Sequence, residues 1–250
     1  MPATPGAVAS PVHRIKGREV RMPVVVRHAT SGSATFLVLA AAARRLIRGE
    51  GLDVAEVLPG RALCSIALID YADNDLGDYH EVSIALFVRP RGAPGPRAWL
   101  RNAIDMARGK LGTYIVHLPV DQSFTCDAGR TIWGFPKTVQ KIDFEYRPER
   151  LTGRLFFDGV FAFALSLPRG GARAMPETDL ATYTFIEGVL HRTAFRSGAD
   201  GFGVRVGGAE LTLGSGPIAA ELRSLGLPRR ALLTTWMERM HGRFETAEKV

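Results

Sequence analysis

Apolar residues recur at every second position over much of the chain, the spacing of strands with one buried face. Ala62 to Asp70 and Glu81 to Val88, rich in Ile, Leu, Val and Phe, read as two such strands joined by the polar stretch Tyr71 to His80. Val139 to Tyr146, Leu151 to Asp158 and Val160 to Leu167 follow with turn residues between them, the spacing of antiparallel hairpins. Further strands are expected at Val20 to Arg27, Thr113 to Pro119, around Tyr183 to Phe195, at Gly203 to Val206 and at Glu210 to Leu213, with Pro23 placing the first near an edge.

Four stretches read as helices. Ala34 to about Arg48 can be capped by Ser31 or Ser33, whose side chains accept from an orphan N–H of the first turn, and Gly49 and Gly51 stop it. Ala98 to Leu111 follows the Pro- and Gly-rich loop Arg89 to Pro96, and Ser123 to Ile132 is ended by Gly134 and Pro136. The last, Arg229 to Phe244, spaces Leu232, Leu233, Trp236, Met237 and Met240 as one helical face. Strands outnumber helices and do not alternate regularly with them. The expected fold is therefore mainly β with flanking helices (α+β), an antiparallel sheet or barrel in one domain over residues 1–250, with a mobile leader over 1–16.

Composition narrows the function classes. The chain has 250 residues, 46% hydrophobic and 23% charged, enough for one sizeable core. Its longest apolar run, Ala34 to Ala43, is cut by Arg44 and Arg45, well short of the roughly 18 to 20 residues of a spanning helix. Met1 to Val12 lacks a basic start followed by an apolar stretch, so no secretory signal is expected and the cytoplasm is the expected location. Two cysteines, Cys64 and Cys126, and six histidines in no zinc spacing give no support for a metal site, and none is expected. The net charge of +7 comes from scattered arginines without a basic and aromatic interleave, so neither nucleic acid nor membrane is expected as a partner.

Candidate chemistry sits in Gly129-Arg130-Thr131-Ile132-Trp133-Gly134-Phe135-Pro136-Lys137-Thr138. A lysine following Trp133, Phe135 and Pro136 faces apolar surroundings, where desolvation disfavours the ammonium and a neutral amine can attack a carbonyl. A strand-edge lysine with its stem on apolar neighbours and its head in water has the same spacing. Gly201-Phe202-Gly203 begins like a dinucleotide fingerprint, but Val206 and the lack of a surrounding strand–turn–helix make it a turn.

The stretch Gly129 to Lys137 resembles the acetoacetate decarboxylase superfamily, whose pattern runs Gly-Arg, a short helix end, then aromatic-Pro-Lys, without a gap. Leu76-Gly77-Asp78-Tyr79-His80-Glu81 is similar to that family's Leu-Gly-x-Tyr-x-Glu, and Gly17-Arg18-Glu19 to its N-terminal Arg-Glu. Order and separation agree over most of the chain, and the C-terminal helix is taken as part of the likeness. The resemblance implies a β-barrel or cone around a closed, largely apolar pocket. It implies Lys137 as the Schiff-base nucleophile and Glu81 as acid/base, with Arg18, Trp133 and Phe135 contacting substrate. Arg21 and Arg27 compete with Arg18 as holders of a carboxylate.

Two departures from the decarboxylase pattern bear on the reaction. Those enzymes carry a second lysine after the first, a known example of a neighbouring cation depressing an amine's pKa, and Thr138 stands there instead. They also carry a further glutamate on the strand before the Tyr-x-Glu loop, whereas Leu63 to Ala67 holds no acid. The expected function is a Schiff-base lyase that needs no cofactor and acts on a small oxo acid, in a homo-oligomer. Alternatives are aldolase-dehydratase or cyclase chemistry on a 2-oxo acid, and non-catalytic binding of an apolar acid. An Arg-held carboxylate would favour chemistry elsewhere on the substrate and slow CO2 release from acetoacetate.

Overall fold

The computed structural model describes residues 11–92 and 97–250. The first half forms β1 (Val12–Ile15), β2 (Arg18–Arg21), β3 (Val24–Leu39), α1 (Ala40–Leu46), β4 (Leu52–Val54), β5 (Arg61–Asn74) and β6 (Tyr79–Pro90). Next come α2 (Ala98–Ala107), β7 (Gly112–Val120), α3 (Ser123–Trp133), β8 (Lys137–Val139), β9 (Lys141–Arg147), β10 (Arg150–Phe157) and β11 (Val160–Pro168). The chain ends in β12 (Arg173–Ile186), β13 (Val189–Val206), β14 (Glu210–Leu213), α4 (Gly216–Ser224), β15 (Leu233–Phe244) and β16 (Glu248–Lys249).

Seven strands close into a barrel in the order β6-β5-β3-β15-β13-β12-β7, with β7 pairing back onto β6. A four-stranded sheet, β14-β11-β10-β9, lies against one side of it, and β1 and β2 form a separate ribbon. Between barrel and sheet, Ile66, Leu68, Leu155, Phe163, Leu165 and Trp236 pack at 0% exposure. A second cluster, including Ile15, Val20, Leu76, Phe124, Ile132 and Trp133, joins the ribbon and α3 to one end of the barrel. That end is closed.

Several expectations hold, and two long helices become strands. β5, β6, β7, α2, α3, β9, β10, β11 and β14 fall where the periodicity puts them. The helix expected over Ala34 to Arg48 is instead the end of β3 followed by the short α1, because Ala34, Phe36 and Val38 turn together onto the sheet side. The helix expected over Arg229 to Phe244 is β15: Trp236 faces the outer sheet while Met237 and Met240 face the barrel interior, so both faces are apolar and the alternation is hidden. The same correction removes the C-terminal helix from the likeness. Tyr183 to Phe195 is a hairpin broken at Glu187 and Gly188, both at positive φ, and α4 was not anticipated. Gly201 to Gly203 lies within β13, and the N-terminal part of β13 pairs with β16. Residues 1–10 of the expected leader lie outside the described residues, but Val12–Ile15 is a paired strand. Residues 93–96 of the expected loop also lie outside them.

Candidate active site

α3 is the platform of the site. Gln122 caps it by accepting from Thr125 N–H at 2.8 Å, and Gly134 ends it in the left-handed region at φ 65°. Gly134 N–H donates to Arg130 O at 3.2 Å and Phe135 N–H to Gly129 O at 3.1 Å, the paired bonds by which a glycine turn satisfies helix-end carbonyls. The chain is thereby turned into β8, which runs parallel to β7 with Lys137 opposite Leu118. Lys137 then lies back over the helix. A Cβ at Gly129 would stand 2.6 Å from Lys137 Cδ, so only glycine leaves the stem its course. One turn earlier on the same face, Thr125 Oγ1 accepts from Lys137 Nζ at 3.0 Å.

The acid comes from the β5–β6 hairpin. Asn74 Oδ1 accepts from Leu76 N–H at 2.8 Å and Asn74 Nδ2 donates to Gly77 O at 2.6 Å, while Gly77 takes φ 100°. Leu76 and Gly77 therefore serve the turn. Tyr79 and Glu81, two residues apart on β6, point to one face. Glu81 Oε2 stands 2.8 Å from Lys137 Nζ, with Lys137 4% and Glu81 6% exposed. Tyr71 stacks on Tyr79 with centroids 4.6 Å apart and donates to Glu81 Oε1 at 3.5 Å, and Nζ lies 4.9 Å from the Tyr79 ring centre.

Burial is the largest influence on the Lys137 ammonium and works to lower its pKa, as the sequence suggests. The Glu81 charge, helped by Tyr79, outweighs it, so the pKa is raised above the ordinary lysine value. Burial pushes Tyr79 up to about 12 and, with Glu81, holds Tyr71 well above the usual phenol range. Both phenols remain donors at neutral pH.

These groups line the inner part of a cavity of about 240 Å³ inside the barrel. Trp133 and Phe135, stacked at 5.6 Å, wall it together with Phe195 and Phe244, stacked at 4.1 Å, and the Trp133 and Phe244 rings pack side by side at 5.5 Å. Trp133 Nε1 donates to Glu245 O at 2.9 Å, which holds the indole in place. Among the described lining residues Lys137 and Glu81 are the only charged ones.

Of the residues singled out in the sequence, Lys137, Glu81, Trp133 and Phe135 meet in this cavity and Arg18 does not. Lys16 and Gly17, both at positive φ, make the tight turn between β1 and β2, so Gly17-Arg18 is a hairpin corner. The Arg18 guanidinium lies 4.0 Å from the centre of the Phe124 ring with its side chain exposed. Arg21 is exposed and Arg27 pairs with Asp73 and Asp75 at 2.8 and 2.6 Å, outside the lining. Sequence reading passed over Tyr71 and Thr125, and named Gly129 only as the start of the motif. Thr125 and Gly129 are four apart on a helix preceding the lysine, and that spacing was the available signal.

No group of three or more His, Cys, Asp or Glu side chains suited to a metal occurs among the described residues. Nor is any of their helices long and apolar enough to cross a membrane.

A seven-stranded barrel enclosing a buried lysine and glutamate defines a class, and comparison with known proteins gives its family. The acetoacetate decarboxylase (ADC) family matches residues 10–247, and the chain belongs to that family. The Legionella pneumophila acetoacetate decarboxylase is similar in structure, at TM-score 0.63 and 15% identity, over 100% of this chain and 92% of that one. So is the enduracididine biosynthesis enzyme MppR, solved with the condensation product of pyruvate and imidazole 4-carboxaldehyde, at TM-score 0.62, 16% identity and 98% of each chain. An acetoacetate decarboxylase-like enzyme from Sphingomonas wittichii RW1 has TM-score 0.54 and 15% identity over 91% of this chain and 92% of that one. A search of curated proteins found no match. At these identities the structural likeness speaks for the fold.

Proposed function

We propose that the protein is a carbon–carbon lyase that forms a Schiff base with a small oxo acid and releases CO2, with Lys137 as nucleophile and Glu81 as acid/base. The observation that carries this reading is the Lys137–Glu81 pair, 2.8 Å apart and buried in an otherwise apolar cavity. Glu81 takes the ammonium proton across that contact, and the neutral amine adds to the substrate carbonyl carbon. The former carbonyl oxygen gains protons, one of them returned by Glu81, and leaves as water, giving an iminium. The bond to the carboxylate carbon breaks and its electron pair moves into the iminium, giving an enamine and CO2. The enamine carbon takes a proton, and water hydrolyses the resulting iminium to ketone and free lysine. The Tyr71 and Tyr79 hydroxyls supply donors beside Glu81 and do not change charge.

The arginines bear on the choice of reaction. An Arg-held carboxylate would argue for chemistry elsewhere on the substrate, but Arg18, Arg21 and Arg27 all lie outside the lining. A carboxylate in this cavity meets apolar walls and the Glu81 charge, surroundings that disfavour its charge and are relieved when CO2 departs. This favours decarboxylation over aldol or dehydration chemistry, which product analysis separates by CO2 against water loss.

Borohydride reduction in the presence of acetoacetate, followed by peptide mass analysis, tests the nucleophile. We expect an adduct on the peptide containing Lys137 and none in Lys137→Arg; labelling of Lys141 instead would overturn the assignment.

A further inference from the structure

The two ends of the cavity differ in chemistry as well as in depth. On the cavity face of four neighbouring strands, the register sets Thr235 opposite Ser33, Ser33 opposite Ala67, and Ala67 opposite Ser83. One pleat further in, Met237, Ser31, Ile69 and Glu81 make the corresponding row. Two residues along a strand span about 7 Å and neighbouring strands lie about 4.8 Å apart, so Ser83 stands about 7 Å from Glu81, while Ser33 and Thr235 continue the collar of hydroxyls two and three strands further round the barrel. Ser65 stands another pleat along β5 from Ala67.

The collar residues are half-buried, whereas Lys137, Glu81, Tyr71 and Tyr79 are buried. Ser33 and Thr235 already bond each other at 2.7 Å. A hydroxyl rotates to donate or to accept, so this row suits a ligand oxygen that does both. It offers no counter-charge to an ion, since the charges of the described lining sit one row deeper. Acetoacetate, with a methyl group beyond its carbonyl, would leave the collar without a partner.

Resting on the reading of Lys137 as the iminium-forming amine, we propose that the substrate carries an uncharged hydroxyl two or three carbons beyond the reacting carbonyl. Ser83 binds that hydroxyl, the Ser33 and Thr235 hydroxyls extend the polar collar beside it, and together they set specificity, while the carbonyl and carboxylate occupy the inner end beside Lys137. Selection then rests on differential hydrogen bonding, because an apolar tail of equal length would strip water from the collar without replacing its bonds.

The test uses two ketones of equal length, 5-hydroxypentan-2-one and 2-hexanone, competing for borohydride trapping on Lys137, with the adduct ratio read by mass. The expected preference for the hydroxyketone is about three- to tenfold, the effect of one net hydrogen bond. In Ser33→Ala/Ser83→Ala/Thr235→Val, checked for folding by its thermal melt, the ratio falls to one or below. Ser83→Ala alone, at a half-exposed wall position, lowers it partway and serves if the triple variant does not fold. A wild-type preference for 2-hexanone, or a ratio unmoved in these variants, would overturn the proposal.

Calorimetric titration of both ketones onto Lys137→Ala, which cannot form the iminium, separates the two readings. A hydroxyketone preference there, with no trapping in the wild type, sinks the lysine reading and supports the collar. Trapping in the wild type with no preference in either measurement sinks the collar and leaves the lysine reading standing.

Discussion

β5 shows two different uses of one strand. Its outward residues Cys64, Ile66 and Leu68 are at 0% exposure against the four-stranded sheet, whereas its inward residues Ser65 and Ala67 are small and half-buried around a cavity. β6 repeats the contrast, with Val82, Ile84 and Leu86 packed outward and Glu81 and Ser83 facing in. Close packing on one face holds the barrel, which frees the other face from filling its own interior. Stability and chemistry are thus carried by alternate residues of the same strands, and substitutions on the two faces should separate them.

The largest effect is expected from the outer face. Leu68 fits so closely that a Cβ at Gly153 would stand 2.6 Å from Leu68 Cδ2. Leu68→Ala removes a fully buried side chain where the two sheets cannot easily collapse, and should cost about 2–5 kcal/mol. The melting temperature should fall by roughly 10 °C. Borohydride trapping on Lys137, measured well below that melt, should stay within about twofold of wild type, because the inner face is unchanged. Loss of trapping in a folded Leu68→Ala protein would break the separation of faces.

Glu81→Gln acts on the inner face. With the carboxylate gone, desolvation governs the lysine, which yields its proton rather than remain a buried unpaired cation. Its pKa should drop from above the ordinary lysine value to below it. Trapping needs the neutral amine, so the pH midpoint of trapping should move down with it, whatever happens to its maximum rate. Stability follows the same sign. In the wild type the folded pKa is raised, so the stabilisation is full below the unfolded lysine pKa and is lost as pH rises through the folded value. In Glu81→Gln the dependence reverses, and stability increases with pH between the lowered folded pKa and the unfolded lysine pKa. An unmoved midpoint would show that Glu81 does not set the charge on Lys137.

The two faces also explain which elements the sequence made legible. β9, β10 and β11 alternate because one face is packed and the other open, so their period is visible. β3 and β15 line the cavity on one side and pack on the outer sheet on the other, so apolar residues fall on both faces and read as helical stripes. The site divides in a similar way. Lys137 and Glu81 stood out because each sits in a short run with turn residues at fixed offsets, but Arg18 matched only through a hairpin corner that glycine would occupy in any case. The collar left no local trace. Ser33, Ser83 and Thr235 come from strands far apart in the chain, and only the register brings them level.

The smallest effect is expected one residue from the lysine. From the sequence, a cation at position 138 should depress the amine, by analogy with the paired lysines of the decarboxylases. In β8, however, Lys137 is buried toward the cavity while Thr138 is half-exposed, absent from the lining and opposite Pro119, on the other face of the strand. A lysine there would project away from Nζ with its head in water, where an exposed charge roughly 8 Å away contributes about 0.5 kcal/mol before salt screening reduces it. Thr138→Lys should therefore shift the pH midpoint of trapping by less than about half a unit, and downward in sign, with a further decrease at high salt. The same measurement on Glu81→Gln gives the scale for comparison. A shift at position 138 as large as that caused by removing Glu81 would mean that the new ammonium reaches the cavity, and that alternation along β8 does not separate the site from its outer face.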